Sequence, residues 1–213
     1  MKIGIIGSGE VGISLATGLA RHGHAVLIAS RAPTKLAHLQ DGNSGISIGD
    51  FAAAARFGDI VILAVKGSMT VQALEQAGAQ SLNGTIVIDA TNPITEAAPV
   101  DGVLTFSSSI NESAMEGLQL RFPRLRFVKA FNSVGADLMI DPSLPGGPPT
   151  MFICGDDPAA RGNVARLIES VGWDVADMGS ARAARAIEPL CVLWCIPGFL
   201  RNEWKHAFKL LRG

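Results

Sequence analysis

Three glycines near the start of this chain restrict it to a short menu of folds. In IGIIGSGEVG, residues 3–12, Gly7, Gly9 and Gly12 fall in the G-x-G-x-x-G spacing, directly after one apolar run and directly before a helical one. A strand that turns so tightly into a helix needs a first residue free of the usual backbone limits. It needs a second with no side chain in the way of whatever approaches it, and a third slim enough for the helix to pack on the strand. Val11, Leu15, Leu19 and Ala20 then recur at helical spacing, and an apolar run returns at 25–29. This is a strand, a helix and a strand in succession, the opening of an α/β sheet.

The alternation continues. A helix is expected after Pro33 and Thr34, another in DFAAAARF at 50–57, a strand in DIVILAV at 59–65, a helix from Ser68 to about Ala79 and a strand in TIVIDAT at 85–91. Apolar runs without in-and-out alternation, each separated by a helix, indicate parallel strands covered on both faces. Farther on come a helix from about Asn111 to Arg121 and the strand LRFVKAF at 125–131. The stretch DPSLPGGPP at 141–149 is too rich in proline and glycine for either element. Beyond it the pattern predicts the strand TMFICG, a helix at about 157–171, the strand WDVADMG and a long helical segment from about Ala181 to Leu211. The expected class is α/β: a Rossmann-type, doubly wound, mainly parallel sheet with a small C-terminal α/β extension ending in a long helix. About sixty residues follow the proline-rich loop, few for an independent core. Residues 1–213 are therefore expected to form one compact unit, with 1–140 as the dinucleotide-binding core and 150–213 completing the sheet and walling a cleft.

Charged residues are 17% of the chain and the formal net charge is -1, so no basic face stands out for nucleic acid or anionic lipid. The expected partners are a small-molecule acceptor and a second copy of the chain in a homodimer, with no nucleic acid and no membrane. Cys154, Cys191 and Cys195 are odd in number, and the chain starts in a strand pattern rather than a leader, which fits a reducing cytoplasm. IEPLCVLWCIPGFL, at 14 residues with two prolines, is too short to span a bilayer and reads as a buried or subunit-contacting helix.

The glycine turn feeds a helix N-terminus, where unpaired N–H groups and the helix dipole favour phosphate, so the motif reads as a dinucleotide site. Such sites place an Asp or Glu about 20 residues further on, for the ribose hydroxyls. Here that place holds Ser30 and Arg31. A carboxylate repels a 2′-phosphate and an arginine pairs with it, so the replacement points to NADP rather than NAD. Lys35 adds a second cation and Thr34 a hydroxyl or a helix cap; the alternative is that Arg31 and Lys35 are solvated surface charges. Two further strand ends face the same edge, offering Val65, Lys66 and Ser68, and Asp89, Thr91, Asn92 and Pro93. They border the nicotinamide, unless Asp89 and Asn92 merely cap a turn. After VKAFN, Lys129, Asn132 and Ser133 are candidates for an acceptor cleft, with Lys129 either taking part in chemistry or only snorkelling from a strand face.

His22, His24, His38 and His206 are scattered and the cysteines lack a C-x-x-C pair, so no metal site is expected. Cys191 and Cys195, four apart beside Trp194, read as core packing. No nucleophile elbow or acid/base pair is evident. Hydride transfer between two rings held face to face requires neither.

With these residues in view, the chain resembles the NADPH-dependent reductases of the deazaflavin coenzyme F420, the F420-dependent NADP oxidoreductase family. The oxidoreductase domains of the six-transmembrane metalloreductases look like relatives. The likeness runs through GIIGSGEVGISLATGLARHGHAVLIASR, DIVILAV, DATNP, VKAFN, FICGDDPAA, ARAIEPLCVLW and AFKLLR. It implies NADPH held by Ser8, Gly9, Glu10 and Val11 at the phosphates and by Ser30, Arg31 and Lys35 at the 2′-phosphate. Val65 and Asn92 would line the nicotinamide, and Asn132 and Ser133 would border the acceptor ring. Where deazaflavin reductases carry a His-Thr-Ile-Pro-like segment, this chain has FNSVGAD, closer to the metalloreductases, which leaves the acceptor open. The expected function is an NADP(H)-dependent oxidoreductase passing hydride between nicotinamide and a deazaflavin or flavin. The alternatives are an NADP-dependent reductase of a small carbonyl or imine, and a non-catalytic NADP-sensing module.

Overall fold

The apolar runs that lack alternation do so because both faces of their sheet are covered. The computed structural model describes residues 1–39 and 45–213, and of Ser81 the backbone alone. In chain order the main sheet and its crossovers are β1 (Lys2–Ile6), α1 (Glu10–Arg21), β2 (Ala25–Ala29), a 3-10 helix over Pro33–Leu39 and β3 (Ile46–Gly49). They continue with α2 (Phe51–Phe57), β4 (Ile60–Leu63), α3 (Thr70–Gln76), β5 (Ile86–Asp89), α4 (Ala114–Arg121) and β6 (Arg126–Lys129). The six strands are parallel in the order β3-β2-β1-β4-β5-β6. This is the Rossmann order, with its switch point between β1 and β4. Ile3, Ile5, Val26, Ile28, Ile60 and Ile62 face α1, whereas Ile6, Ala29, Val61, Leu63, Val87 and Phe127 face α2, α3 and α4.

Short polar residues set the helix starts. Asp50 accepts from the Ala53 N–H at 2.7 Å and Ser113 accepts from the Glu116 N–H at 3.2 Å. Each satisfies a donor the helix leaves open. Glu116 also takes two hydrogen bonds from Arg185, both 2.8 Å, which tie α4 to the C-terminal extension. These bonds, ahead of the smaller effect of Ser113, hold the Glu116 carboxyl below its ordinary range. A depressed native pKa stabilises fully above the unfolded value, and the benefit is lost as pH falls through the native one. Glu116→Gln should therefore cost about 0.5–1 kcal/mol at neutral pH, the pair being partly solvated, and flatten the acid limb of the stability curve. Urea midpoints measured from neutrality downward check this.

The C-terminal extension comprises β7 (Thr150–Ile153), α5 (Pro158–Ser170), β8 (Asp174–Asp177), α6 (Ala184–Ile187) and α7 (Leu190–Arg201). It does not complete the main sheet as expected: β7 and β8 form a parallel pair of their own. The two sheets meet at one antiparallel bridge, the Lys129 N–H donating to the Cys154 carbonyl at 2.9 Å. Their cores are continuous, since Met151, Ile153, Val164, Leu167 and Trp173 pack in the same cluster as Ile3 and Leu15.

The last helix also ends earlier than its periodicity predicts. It stops at Arg201, with Asn202 in the left-handed region at φ 55°, and residues 202–213 run on without helix. That tail is held by long-range bonds: the Trp194 indole N–H donates to the His206 carbonyl, and the Thr150 N–H donates to the Phe208 carbonyl. The helical run Ala181–Arg201, at 21 residues, is long and apolar enough by length and composition to cross a bilayer, more than the 14-residue reading allows. Here it packs against the sheet, with Ala181, Ala184 and Ile187 in the core and Glu188 1% exposed.

Candidate active site

The turn between β1 and α1 shows why its glycines stand where they do. Gly7 has φ 129°, and a Cβ there would strike the Ala64 carbonyl at the end of β4. The turn is thus wedged between two strands, the Gly7 N–H donating to the Ala29 carbonyl at 3.1 Å and the Ala64 N–H to the Ile6 carbonyl at 2.8 Å. A Cβ on Gly12 would strike the Gly7 carbonyl, so α1 can lie on the turn only without one. Gly9 is different: nothing lies within 4 Å of where its Cβ would be. As the N-cap of α1 it has no side chain to offer the first N–H groups, which face that open space.

Ser30 closes one side. Its hydroxyl accepts from Ser8 Oγ and from the Ala32 N–H, each at 3.1 Å, joining the ends of β1 and β2. Gly7, Ser8, Gly9, Ser30, Arg31 and Val65 line one cleft of about 280 Å³. Opposite them stand Phe51 from α2 and Met69, Gln72 and Gln76 around α3, none of which carries a signal in the sequence. Among the described residues no carboxylate lines this cleft, and its cations are Arg31 and Lys66. Thr34 and Lys35 lie just beyond, exposed in the first turn of the 3-10 helix. Val11 is half-buried on α1.

Val65 and Lys66 also border a second cavity, of about 330 Å³, whose far wall is the loop after β5 with Thr91 and Asn92. Ser68 is exposed and lines neither. The loop after β5 is anchored from beneath. Asp89 Oδ1 accepts from the Thr91 N–H and hydroxyl, while Asp89 Oδ2 receives Lys129 Nζ at 2.6 Å. Lys129 Nζ donates also to the Thr91 carbonyl at 3.0 Å and pairs with Glu188 at 2.9 Å. Glu188 in turn accepts from the Ala114 and Met115 N–H groups at the start of α4.

All three side chains are 0–1% exposed, so Lys129 does not snorkel and presents no ammonium to a cleft. Burial acts to discharge it, but the Asp89 and Glu188 carboxylates outweigh burial and raise its pKa. Glu188 is the member that sequence reasoning missed. Burial pushes the neighbouring Cys154 thiol up to about 12, against the pull of Lys129. Cys191 and Cys195 are free and packed with Trp194.

Asn132 and Ser133 are buried, at 4% and 8% exposure, and line none of these cavities. Asn132 serves instead as a clasp. Its Nδ2 donates to Asn92 Oδ1 at 3.1 Å and to the Ile187 carbonyl at 3.0 Å, and its own carbonyl accepts from Asn92 Nδ2 at 2.7 Å. Phe131 before it is held at φ 61°, which turns the chain out of β6. The residues that do reach open space lie a few positions later. Gly135, Ala136, Asp137 and Leu138 wall a cavity of about 740 Å³, with Glu10 on one side and Trp194 and Trp204 on the other. Among the described residues, no group of three His, Cys, Asp or Glu stands close enough to hold a metal.

The arrangement can hold a phosphate-bearing dinucleotide along the switch point and leaves a separate cavity beside the start of α1. Known proteins share the fold. Residues 2–93 match the family described as NADP oxidoreductase, coenzyme F420-dependent. A solved structure from Arthrobacter sp. FB24, a candidate F420-dependent NADP reductase, is 34% identical with a TM-score of 0.91, and the match covers 100% of both chains. A hypothetical protein, SMa0349 of Sinorhizobium meliloti, is 27% identical with a TM-score of 0.72 over 100% of this chain and 96% of its own. Metalloreductase STEAP3 of Rattus norvegicus is 31% identical over 204 residues, 93% of this chain, which spans 39% of that protein's length. Identity of 34% along two whole chains, with the same fold, makes this chain a member of the F420-dependent NADP oxidoreductase family and so an NADP-dependent oxidoreductase by lineage.

Proposed function

We propose that this chain binds NADPH along the glycine turn and passes its hydride to a flavin or deazaflavin ring. The observation that carries the first half is the cleft itself, where Arg31 stands at the end of β2 and, among the described residues, the lining includes no acidic side chain. The open space at Gly9 admits a pyrophosphate to the first N–H groups of α1, and Ser8 and Ser30 offer hydroxyls beside it. Arg31 reads the 2′-phosphate by a charge-assisted pair. Val65 and the Asn92 clasp fix the wall against which the nicotinamide lies. Bound there, the dihydronicotinamide supplies a hydride, two electrons and one proton, and NADPH becomes NADP⁺.

The enclosure of Lys129 supports a ring acceptor over a carbonyl or imine. Reduction of a carbonyl calls for a proton donor at the reacting oxygen, whereas hydride transfer to a ring calls for the two planes to be held together. Lys129, tied to Asp89, Thr91 and Glu188, is not such a donor.

Arg31→Ala should lose about 1.5–3 kcal/mol of NADPH binding, tenfold or more, with NADH little changed. Fluorescence titration with both nucleotides checks this; an unchanged preference would overturn the NADP assignment. The acceptor is tested by anaerobic mixing of protein and NADPH with F420, FMN, FAD and riboflavin in turn, following nicotinamide absorbance. Failure with every ring would sink the second half alone.

A further inference from the structure

The cleft at the glycine turn and the cavity of about 330 Å³ bordered by the loop after β5 have two lining residues in common, Val65 and Lys66. Lys66 is therefore the charged side chain that reaches both. Its Nζ lies 3.3 Å from each carboxylate oxygen of Glu96, and among the described residues Glu96 is the one carboxylate that lines the second cavity. The two side chains are 73% and 78% exposed, and among the described residues they bond only to each other. An ion pair so fully solvated contributes little and gives way readily to a stronger partner. The backbones beneath are fixed. The Lys66 carbonyl accepts from the Met69 N–H at 2.8 Å, and Gly67 lies so close to the Asn92 carbonyl that no Cβ would fit there. Next to Glu96, the Thr95 N–H donates to the Thr105 carbonyl at 2.9 Å. A change of partners at Lys66 and Glu96 thus needs side-chain rotation alone.

We propose that this ion pair dissolves onto the nucleotide: Lys66 passes from Glu96 to the pyrophosphate, and the freed Glu96 faces the nicotinamide, favouring NADP⁺ over NADPH. The inference rests on the nucleotide placement above and adds two residues to it. With its 2′-phosphate at Arg31 and its nicotinamide against Val65 and Asn92, the nucleotide occupies both cavities. What joins its two ends is the pyrophosphate, which must cross where the cavities adjoin, and Lys66 stands on that divide. Two phosphate charges attract an ammonium more strongly than one solvated carboxylate does. Glu96, left in the cavity of the nicotinamide, meets a ring that is neutral in NADPH and carries one positive charge in NADP⁺. Departure of the hydride creates that charge, so the carboxylate stabilises the product side of the donation. Opposite unit charges about 5–6 Å apart in water-like surroundings are worth about threefold in affinity.

Calorimetric titration of NADPH, NADH and NADP⁺ into the parent, Lys66→Met and Glu96→Gln at low salt tests both halves. Lys66→Met should weaken NADPH and NADH by the same factor, about tenfold, in contrast to Arg31→Ala, which separates them. It should keep the parent's ratio of NADP⁺ to NADPH dissociation constants, since Glu96 remains. Glu96→Gln should raise that ratio about threefold while NADPH itself binds as well as before or slightly tighter. Both variants should melt with the parent, because each removes an exposed side chain with a single solvated partner. A loss in Lys66→Met confined to NADPH would put Lys66 at the 2′-phosphate and overturn the exchange. So would a ratio that Glu96→Gln leaves unchanged, or NADPH binding that Glu96→Gln weakens. Unchanged nucleotide binding by Lys66→Met would remove this inference alone, whereas a parent that binds none of the three nucleotides would remove the dinucleotide reading beneath it.

Discussion

Replacing Lys129 by methionine is expected to lower the free energy of unfolding by about 3–5 kcal/mol, a large part of the margin of an ordinary domain. Methionine fills the same length of β6 at no packing cost, so the loss comes from what it leaves behind. Asp89 and Glu188, 0–1% exposed, would face each other with no cation between them. Part of their other bonding survives, Asp89 Oδ1 with Thr91 and Glu188 with the first N–H groups of α4. That residue of support keeps the cost within the range for breaking a buried pair. Adding Asp89→Asn and Glu188→Gln should recover a good part of the loss, because uncharged groups need no counter-ion. Urea unfolding of the single and triple variants decides it: a single variant within about 1 kcal/mol of the parent would contradict a dry, charged triad. The loop after β5 also hangs from Lys129 through the Thr91 carbonyl, so the single variant should weaken NADPH binding beyond what global stability explains.

The triad shows where sequence reading stops. The parallel sheet covered on both faces and the glycine turn were legible because each is a local pattern: apolar runs with no alternation mean a sheet buried on both faces, and three glycines at fixed spacing mean a tight crossing. Lys129 pairs with a residue on the other side of the C-terminal extension, and nothing near position 188 marks its carboxylate as buried. Asn132 and Ser133 were placed at the right strand end, yet the left-handed Phe131 turns them inward and sends Gly135–Leu138 to the cavity. Backbone reversals of that kind are set by packing. Trp204, Phe208 and Leu211 recur at helical spacing, but the tail forgoes the helix because Thr150 and Trp194 supply partners for its carbonyls. Phe51, Gln72 and Gln76 reach the cleft from helices whose composition is unremarkable, and only the layer order of the sheet brings them there.

Gly9→Asp should separate fold from function more sharply than any change to the neighbouring glycines. Aspartate is among the best N-cap residues, the backbone at Gly9 is already extended with φ -78° and ψ -178°, and its Cβ would meet nothing. The variant without nucleotide should therefore be as stable as the parent, or more so by up to about 1 kcal/mol. NADPH binding should collapse. A carboxylate about 4 Å from a phosphate charge costs about 4 kcal/mol at an effective dielectric constant near 20, and it takes the N–H groups the phosphates need. Affinity should fall a hundredfold or more. Gly7→Ala makes the opposite case: at φ 129° with the Ala64 carbonyl against its Cβ, it should lose on the order of 3 kcal/mol of stability before any ligand is added. Thermal melts of both variants with and without NADPH test the pair. The site assignment requires Gly9→Asp to melt like the parent alone and to gain nothing from the nucleotide. Nucleotide stabilisation that survived in Gly9→Asp would place the dinucleotide elsewhere, whatever the spacing of the glycines.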